Sequence, residues 1–250
     1  MKERQADRVL DSSLAGEEIA PGILVLPGPG NSLAITAGDG IVLVDASKVR
    51  HVGAMIEMLR SHTDLPVTTI VYSHGHHGHH GYNAAVPQWI EHNEGRGEPP
   101  PRRVAHERVL ARYARYRETD DLQQRMAAIQ FPGREIRSLA VFRASLTLHD
   151  PTETFVDEMR LVAGDRPVDL LWAPSEVDDA LGVWLPEEGI LYGGAATPGD
   201  MIPTIGTPLR TQRRTVRWAE TLERLEKLGA ERLVTEFGPV IEGSGAIRER

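Results

Sequence analysis

The sequence predicts a mixed α/β fold in which helices cover β-sheets, and three observations support this. Short apolar runs of strand length, such as ILVL and IVLV, are separated by Gly, Pro, Asn and Asp. Stretches with apolar residues at helical spacing alternate with these runs along the chain. The composition, with 40% hydrophobic and 26% charged residues, is that of a globular protein. We expect one domain over residues 1–250, with residues 1–18 forming a poorly ordered or peripheral N-terminal segment.

The first predicted elements are a meander of strands and two strand–helix units. Residues 22–47 contain short apolar runs split by turn residues, which is typical of a β-meander with tight turns. Residues 49–62 place apolar side chains on one face of a helix, and residues 65–73 form a β-branched strand. A second helix is expected after Gly81, and Pro87 limits or interrupts its early turns.

The second half of the chain predicts a surface helix, several strands and an amphipathic helix. A short strand at 103–107 leads into residues 107–128, whose Arg, Glu, Ala and Leu content indicates a helix. Residues 211–228 indicate an amphipathic helix that Thr211 could cap, and a last strand follows Gly229. Further strands are expected over 136–148, 154–163 and 168–173, and a hairpin with its turn at PEEG over 182–194.

The charge balance and the residue types exclude several classes of function. The net charge is −8, and nonspecific binding to DNA or RNA needs a surplus of Lys and Arg. No cysteine is present, so a transition-metal site must be built from His, Asp or Glu. The N-terminus lacks the apolar core of a signal peptide, and the apolar runs are too short to span a bilayer. We therefore expect a cytoplasmic protein that binds neither nucleic acid nor membranes and acts on a small-molecule substrate.

A histidine cluster at residues 73–81, SHGHHGHHG, contains five of the ten histidines. His74 and His76 follow a predicted strand, and residues two apart in extended backbone point to the same side. A glycine before His79 allows the chain to turn this residue back toward the first pair. Three neutral imidazoles in this arrangement form the ligand set of a zinc site with one open position. Two other interpretations remain open, namely the decayed remnant of such a site and a solvated histidine-rich loop.

The segment strand–SHGHHGHHG–helix resembles the H-x-H-x-D-H-x-G signature of the metallo-β-lactamase superfamily, with His74, His76 and His79 at its histidines. The stretches GNSLAITAGDGIVLVDAS, SEVDDALGVWLPEEGILYGG and FGPVIEG resemble the alkylsulfatase-like branch of that superfamily. The resemblance implies an αββα sandwich, in which helices flank two mixed β-sheets, with a site at one sheet edge and a hydrolytic reaction. It also implies that Asp45 braces the metal-binding loop through hydrogen bonds.

The chain departs from the pattern of the superfamily at the ligands of the second metal. The aspartate of the signature falls on Gly78, and a later histidine falls on Ala180. An acidic ligand falls near Gly194 and Ala195, and the last histidine falls on Phe237. None of these side chains can coordinate a metal ion. The resemblance therefore implies that the chain has lost the second metal of a binuclear site.

The residues that remain predict a site with one metal ion or none. One zinc, iron or manganese ion is expected at most, and no second metal ion. Glu176 matches a glutamate that resembles a metal ligand in alkylsulfatases. Arg210 is predicted to clamp a sulfate or carboxylate of the substrate, with a solvated helix N-terminus as the alternative. The predicted metal ligands are His74, His76, His79 and Glu176. The predicted acid–base groups are His77, His79 and His80.

Three hypotheses about function remain open. The first is a hydrolase with one metal ion whose bound hydroxide attacks an ester, a lactone or a sulfate ester. The second is a metal-free enzyme that uses the histidines as acid–base groups in an isomerisation, elimination or cyclisation. The third is a catalytically silent binding subunit. A homodimer or a pairing with a homologous subunit is the assembly that we consider for each of them.

Overall fold

Two β-sheets packed face to face form the centre of the molecule. The computed structural model describes residues 16–26, 30–76, 83–130, 138–146, 148–163, 166–199 and 213–249. Within these residues the first sheet has seven strands, whose spatial order follows the chain: β1 (Glu17–Ala20), β2 (Ile23–Leu26), β3 (Ser32–Ala37), β4 (Gly40–Val44), β5 (Val67–Tyr72), β6 (Arg102–His106) and β7 (Glu153–Phe155). The strands from β1 to β4 pair antiparallel, as the predicted meander does, and those from β4 to β7 pair parallel.

The second sheet has six strands within the described residues, in the spatial order β13-β12-β11-β10-β9-β8. They are β8 (Glu158–Ala163), β9 (Arg166–Trp172), β10 (Leu181–Leu185), β11 (Ile190–Gly199), β12 (Arg232–Phe237) and β13 (Ile241–Glu242). The strands β11 and β12 pair parallel, and the other neighbours pair antiparallel. The hairpin predicted over 182–194 is formed by β10 and β11, which are joined at Leu185 and Ile190.

Helices cover the outer faces of both sheets. The described helices are α1 (Val52–His62), α2 (Val86–Glu94), α3 (Arg108–Glu118), α4 (Asp120–Gln130), α5 (Leu139–Ser145), α6 (Thr215–Glu226) and α7 (Ser244–Arg248). The apolar faces of α1, α2 and α3 pack on the first sheet, while Leu225 of α6 and Ile247 of α7 pack on the second. The layers are therefore helix, sheet, sheet and helix, and the predicted αββα sandwich is confirmed.

The strand β2 shows why the chain folds into these layers. Ile23 and Val25 belong to the core between the two sheets, whereas Leu24 and Leu26 belong to the core under the helices. Successive side chains of a strand point to opposite faces, so a strand that is buried on both faces is apolar throughout. Burial of a large aliphatic side chain contributes about 1.5–3 kcal/mol, and all four of these are at most 2% exposed.

Three predicted elements differ from the structure. The strand predicted over 154–163 is two strands, β7 and β8, which lie in different sheets. The helix predicted over 107–128 is two helices, because Thr119 ends α3 and Asp120 begins α4. Thr and Asp favour helix ends, since their short side chains bond to the backbone there. The strand predicted over 136–148 is wrong, because residues 139–145 form α5 and the Ser138 side chain accepts a hydrogen bond from the Val141 amide.

Pro87 lies at the start of α2, whereas the sequence predicted that it limits or interrupts the early turns of a helix after Gly81. The helix begins at Val86, so Pro87 lies in its first turn and does not interrupt it. The missing N–H of a proline has no effect there, because the first amides of a helix lack partners within the helix.

No helix among the described residues is long and apolar enough to cross a membrane. The 12 residues of α6 are more than any other described helix has, whereas a membrane-spanning helix needs about 20. The cytoplasmic location remains a prediction.

Candidate active site

The histidine cluster leaves the carboxyl end of β5, at an edge where the two sheets meet. Ser73 follows the last residue of β5, and its carbonyl accepts a hydrogen bond of 2.9 Å from the amide of Leu181 in the second sheet. The parallel pairing of β4, β5 and β6 places the ends of three strands at this edge. The fold therefore brings the loop after β5 against residues from the second sheet.

His74 and His76 lie side by side beyond β5, with their ring centroids 4.7 Å apart and the rings at 85°. Nε2 of His74 is 4.0 Å from Oε1 of Glu236, and Nδ1 of His76 is 3.8 Å from Oε2 of Glu176. Burial lowers the pKa of His74 to about 4, although the charge of Asp179 opposes this change. His74 is therefore a neutral imidazole near pH 7, the form that binds a metal ion or accepts a proton.

Asp45 ties the two described ends of the histidine loop to the first sheet. Its Oδ1 accepts hydrogen bonds from the Ser73 amide at 2.9 Å and from Nδ2 of Asn83 at 3.1 Å. Its Oδ2 accepts one from the Tyr192 hydroxyl at 3.2 Å. Complete burial raises the pKa of Asp45 to about 6, although these hydrogen bonds lower it. The predicted bracing role of Asp45 is confirmed by these contacts.

Arg112 of α3 holds Asp179 beneath the loop. Nε of Arg112 is 2.7 Å from Oδ2 of Asp179, and Nη2 is 2.6 Å from Oδ1. The Gly75 amide also donates to Oδ2 at 2.8 Å, and a Cβ on Gly75 would lie 2.8 Å from the same oxygen. Burial would raise the pKa of Asp179, but the charge and hydrogen bonds of Arg112 hold it below its usual value. Asp179 is thus an ionised carboxylate that fixes the loop through Gly75.

Arg213 holds Glu176 on the other side of the site. Its Nη2 forms a close ion pair with Oε1 of Glu176, and both side chains are 12% exposed. Its Nη1 also donates to the backbone carbonyl of Glu176 at 2.7 Å. One guanidinium therefore binds both the side chain and the backbone of Glu176, next to His76.

The comparisons with known proteins agree with this architecture. No protein-family model matches the chain. It is similar to a metallo-β-lactamase family protein from Thermus thermophilus, with a TM-score of 0.67 and 21% identity, over 93% of this chain and 79% of that one. It is also similar to a stereoselective inverting sec-alkylsulfatase from Pseudomonas sp., with a TM-score of 0.69 and 20% identity, over 94% of this chain and 40% of that one. The protein has the metallo-β-lactamase fold.

A relative within this fold is a linear primary-alkylsulfatase from Pseudomonas sp. (strain ATCC 19151). It is 29% identical over 100 residues, which are 40% of this chain and 19% of that protein. The chain thus matches about a fifth of the length of this relative. This relative and the sec-alkylsulfatase structure together confirm the predicted resemblance to the superfamily and its alkylsulfatase-like branch.

Two of the positions where the resemblance implies missing ligands, Ala180 and Ala195, lie together. Ala180 and Ala195 are 0% and 1% exposed, and they pack with Val177 in one apolar cluster. Gly194 is also buried, near Ser73, and Phe237 is buried at the end of β12. Two of the lost ligand positions therefore face each other as methyl groups, which bind no cation.

Some residues of this site suit a metal ion, and others do not. His74 and His76 present imidazole nitrogens of the kind that bind zinc, iron or manganese. Among the described residues, however, no group of three or more His, Asp or Glu side chains could hold a metal ion. Glu176, the predicted fourth ligand, is bound by Arg213. The predicted site residues His77, His79, His80 and Arg210 lie outside the described residues, as does Gly78.

The sequence did not indicate that Arg112 is the residue that binds Asp179. Arg112 is one of four arginines on α3, and no local pattern distinguishes it from Arg108, Arg115 or Arg117. Glu236 is a sequence neighbour of a lost ligand position, and the structure places it beside His74. Nε2 of His106 lies 2.6 Å from the carbonyl oxygen of Val156, which is a structural contact.

Proposed function

We propose that this protein is a hydrolase that acts on an ester, a lactone or a sulfate ester of a small molecule, with at most one metal ion. The observation that carries the proposal is the pair of adjacent imidazoles, His74 and His76, at the sheet edge where they face two carboxylates. The alkylsulfatases with the same fold support the choice of substrate class.

In this proposal the residues of the chain hold and orient the reaction centre. His74 and His76 would bind the metal ion together with His79. When bound, the metal ion would supply a hydroxide for hydrolysis near neutral pH. Asp45 and Asp179 keep the loop in place through the amides of Ser73 and Gly75. His77 and His80 are the proposed groups that move protons to the leaving group.

Metal analysis of the protein without a histidine tag, combined with a substrate panel, tests this function. We expect about one equivalent of zinc, iron or manganese, and its loss in His76→Ala. Hydrolysis of nitrophenyl esters, lactones or alkyl sulfates is expected to disappear in the same variant. His62→Ala is the matched control, because His62 is an exposed residue at the end of α1. A metal content below about a tenth of an equivalent that does not rise on soaking would contradict the proposal.

Metal-free acid–base catalysis is a second candidate, and the ion pairs of the site favour it. The carboxylates of Glu176 and Asp179 are both bound by arginines, so neither depends on a metal ion for its charge balance. Histidines held beside such pairs could catalyse an isomerisation, elimination or cyclisation. Turnover that persists after dialysis against a chelator, and that is lost in His77→Ala and His79→Ala, would support this candidate. Absence of turnover in the wild type as well as in both variants would indicate a silent binding subunit.

A further inference from the structure

Two arginines hold the carboxylates that flank the histidine pair. Arg213 binds Glu176, whose other carboxylate oxygen is 3.8 Å from Nδ1 of His76. Arg112 binds Asp179, which is completely buried and close enough to His74 to influence its pKa. The two arginines come from different helical regions, one from α3 and one from the residues just before α6. Glu176 and Asp179 thus each have their own cation.

The charge of these arginines equals that of one divalent metal ion. A buried carboxylate is strongly unfavourable unless it is paired with a cation, so Glu176 and Asp179 need positive charge close to them. In a site with metal ions, the metal supplies that charge. Here Ala180 and Ala195 pack together where the resemblance implies other ligands, so neither position adds an acid that needs a cation.

We propose that Arg213 takes the place of a metal ion at Glu176, so that Glu176 is an ion-pair partner and not a metal ligand. Arg213 then lowers the metal affinity of the site, because its positive charge opposes a cation at Glu176 and an ion that takes both carboxylate oxygens must first displace its guanidinium. The interaction is hard to displace, since Arg213 also donates to the backbone carbonyl of Glu176 at 2.7 Å. Removal of Arg213 frees Oε1 of Glu176, whose Oε2 lies 3.8 Å from Nδ1 of His76, and takes away the positive charge that opposes a metal ion there.

If Arg213 instead supports Glu176 as a metal ligand, the expected change in metal affinity has the opposite sign. A carboxylate can bind a metal ion through one oxygen while an arginine holds the other, and such supporting residues raise metal affinity about 10–100-fold. In that case the loss of Arg213 would weaken metal binding. The sign of the change therefore distinguishes a competing arginine from a supporting one.

Calorimetric titration with zinc sulfate tests the proposal on the full chain without a histidine tag. We expect Arg213→Gln to bind zinc at least about tenfold more tightly than the wild type, the size of change that one neighbouring group causes. Arg214→Gln is the matched control, since Arg214 is the next residue, is exposed and carries the same charge. The double variant Arg213→Gln with Glu176→Gln is expected to return to the wild-type affinity, because the released ligand is gone.

Three results would overturn the proposal: weaker or unchanged zinc binding by Arg213→Gln, an equal gain in Arg214→Gln, or a gain that survives in the double variant. Circular dichroism and thermal melting establish that each variant is folded. If Arg213→Gln does not fold, the zinc affinity of the single variant Glu176→Gln decides between the two roles of Arg213. An unchanged zinc titration supports the proposal, and a loss of about tenfold or more overturns it.

The inference does not depend on the reaction that the protein catalyses. If the protein hydrolyses no substrate of the panel, the proposed hydrolysis is wrong, but the zinc titrations still test the role of Arg213. A decrease in zinc affinity in Arg213→Gln would instead restore Glu176 as a ligand and leave hydrolysis possible. The two outcomes are therefore distinguishable.

Discussion

At the scale of single residues, the segment after β4 carries backbone strain next to the histidine loop. Asp45 and Ser47 have φ values of 65° and 70°, a region that non-glycine residues adopt at a cost of about 1–3 kcal/mol. Hydrogen bonds to the loop account for the conformation of Asp45. Ser47 is completely buried, and its hydroxyl has no hydrogen-bond partner among the described residues. Ser47 therefore has two unfavourable features that a glycine would lack.

We expect Ser47→Gly to stabilise the protein by about 1 kcal/mol, because glycine adopts positive φ without the steric cost of a Cβ. Urea unfolding at neutral pH measures the change. Ser47→Ala is the control, since it removes the hydroxyl but keeps the Cβ. The interpretation is wrong if the glycine variant is less stable than the alanine variant.

The ion pair of Arg112 and Asp179 predicts a pH-dependent stability. The pKa of Asp179 is below its usual value of 3.8, so the pair stabilises the fold above that pH and loses its effect as the pH falls through the lower, folded value. Arg112→Met leaves a buried carboxylate without its cation, which costs about 3–5 kcal/mol near pH 7. The pKa of Asp179 then rises, and acidification removes the cost.

Urea unfolding near pH 7 and near pH 4 checks this prediction. The difference in stability between wild type and Arg112→Met is expected to shrink at the lower pH. Arg117→Met is the control on the same helix, because the pair of Arg117 with Asp150 is about half exposed and contributes little. A difference that does not change with pH would contradict the assignment of charge to Asp179.

At the scale of elements, local patterns predicted most strands and failed where an apolar segment that resembles a strand forms a helix. The runs of β2, β4 and β5 are apolar because both of their faces are buried, so the sequence shows them directly. Residues 136–148 resemble a strand because Leu139, Val141 and Phe142 are apolar. The structure makes a helix there, in which Phe142 is buried and Val141 is half exposed. Only the packing of the neighbouring helices decides between these two arrangements.

The cap of α5 gives a prediction at this scale. The Ser138 side chain accepts a hydrogen bond from the Val141 amide at 3.2 Å. Ser138→Ala removes it, and a lost N-cap costs about 1 kcal/mol. Hydrogen exchange should become faster in residues 139–145 of Ser138→Ala and remain slow in Ser138→Asp, which keeps an acceptor. Equal exchange in both variants would mean that the cap does not hold this helix.

At the scale of the whole molecule, the two sheets are joined at both ends. At one end the histidine loop bonds to the second sheet through Ser73 and Leu181. At the other end Arg166 of β9 donates to the carbonyls of Thr36 and Pro21 in the first sheet, at 2.6 and 3.0 Å. Glu188 lies 2.7 Å from the same guanidinium. The sandwich is thus fixed by polar contacts as well as by its apolar core.

We expect Arg166→Met to lower the free energy of unfolding by about 1–3 kcal/mol, because the partly buried Thr36 carbonyl and the Glu188 carboxylate lose a charged partner. The effect is global, so the thermal transition should shift as a whole while zinc binding at the histidines stays unchanged. Arg160→Met is the control, since the pair of Arg160 with Asp169 is exposed and lies within one sheet. A change in zinc affinity without a change in stability would contradict this role.

The sequence by itself determined the order of most strands and helices and the position of the histidine cluster after β5. These features depend on residue type and local spacing, which a single chain shows. The tertiary structure alone decided that Ala180 packs against Ala195 and that Arg112 and Arg213 bind Asp179 and Glu176. Those arginines lie 67 and 37 residues from their partners. Local periodicity carries no information over such distances, because only the packing of the helices on the sheets brings the charges together.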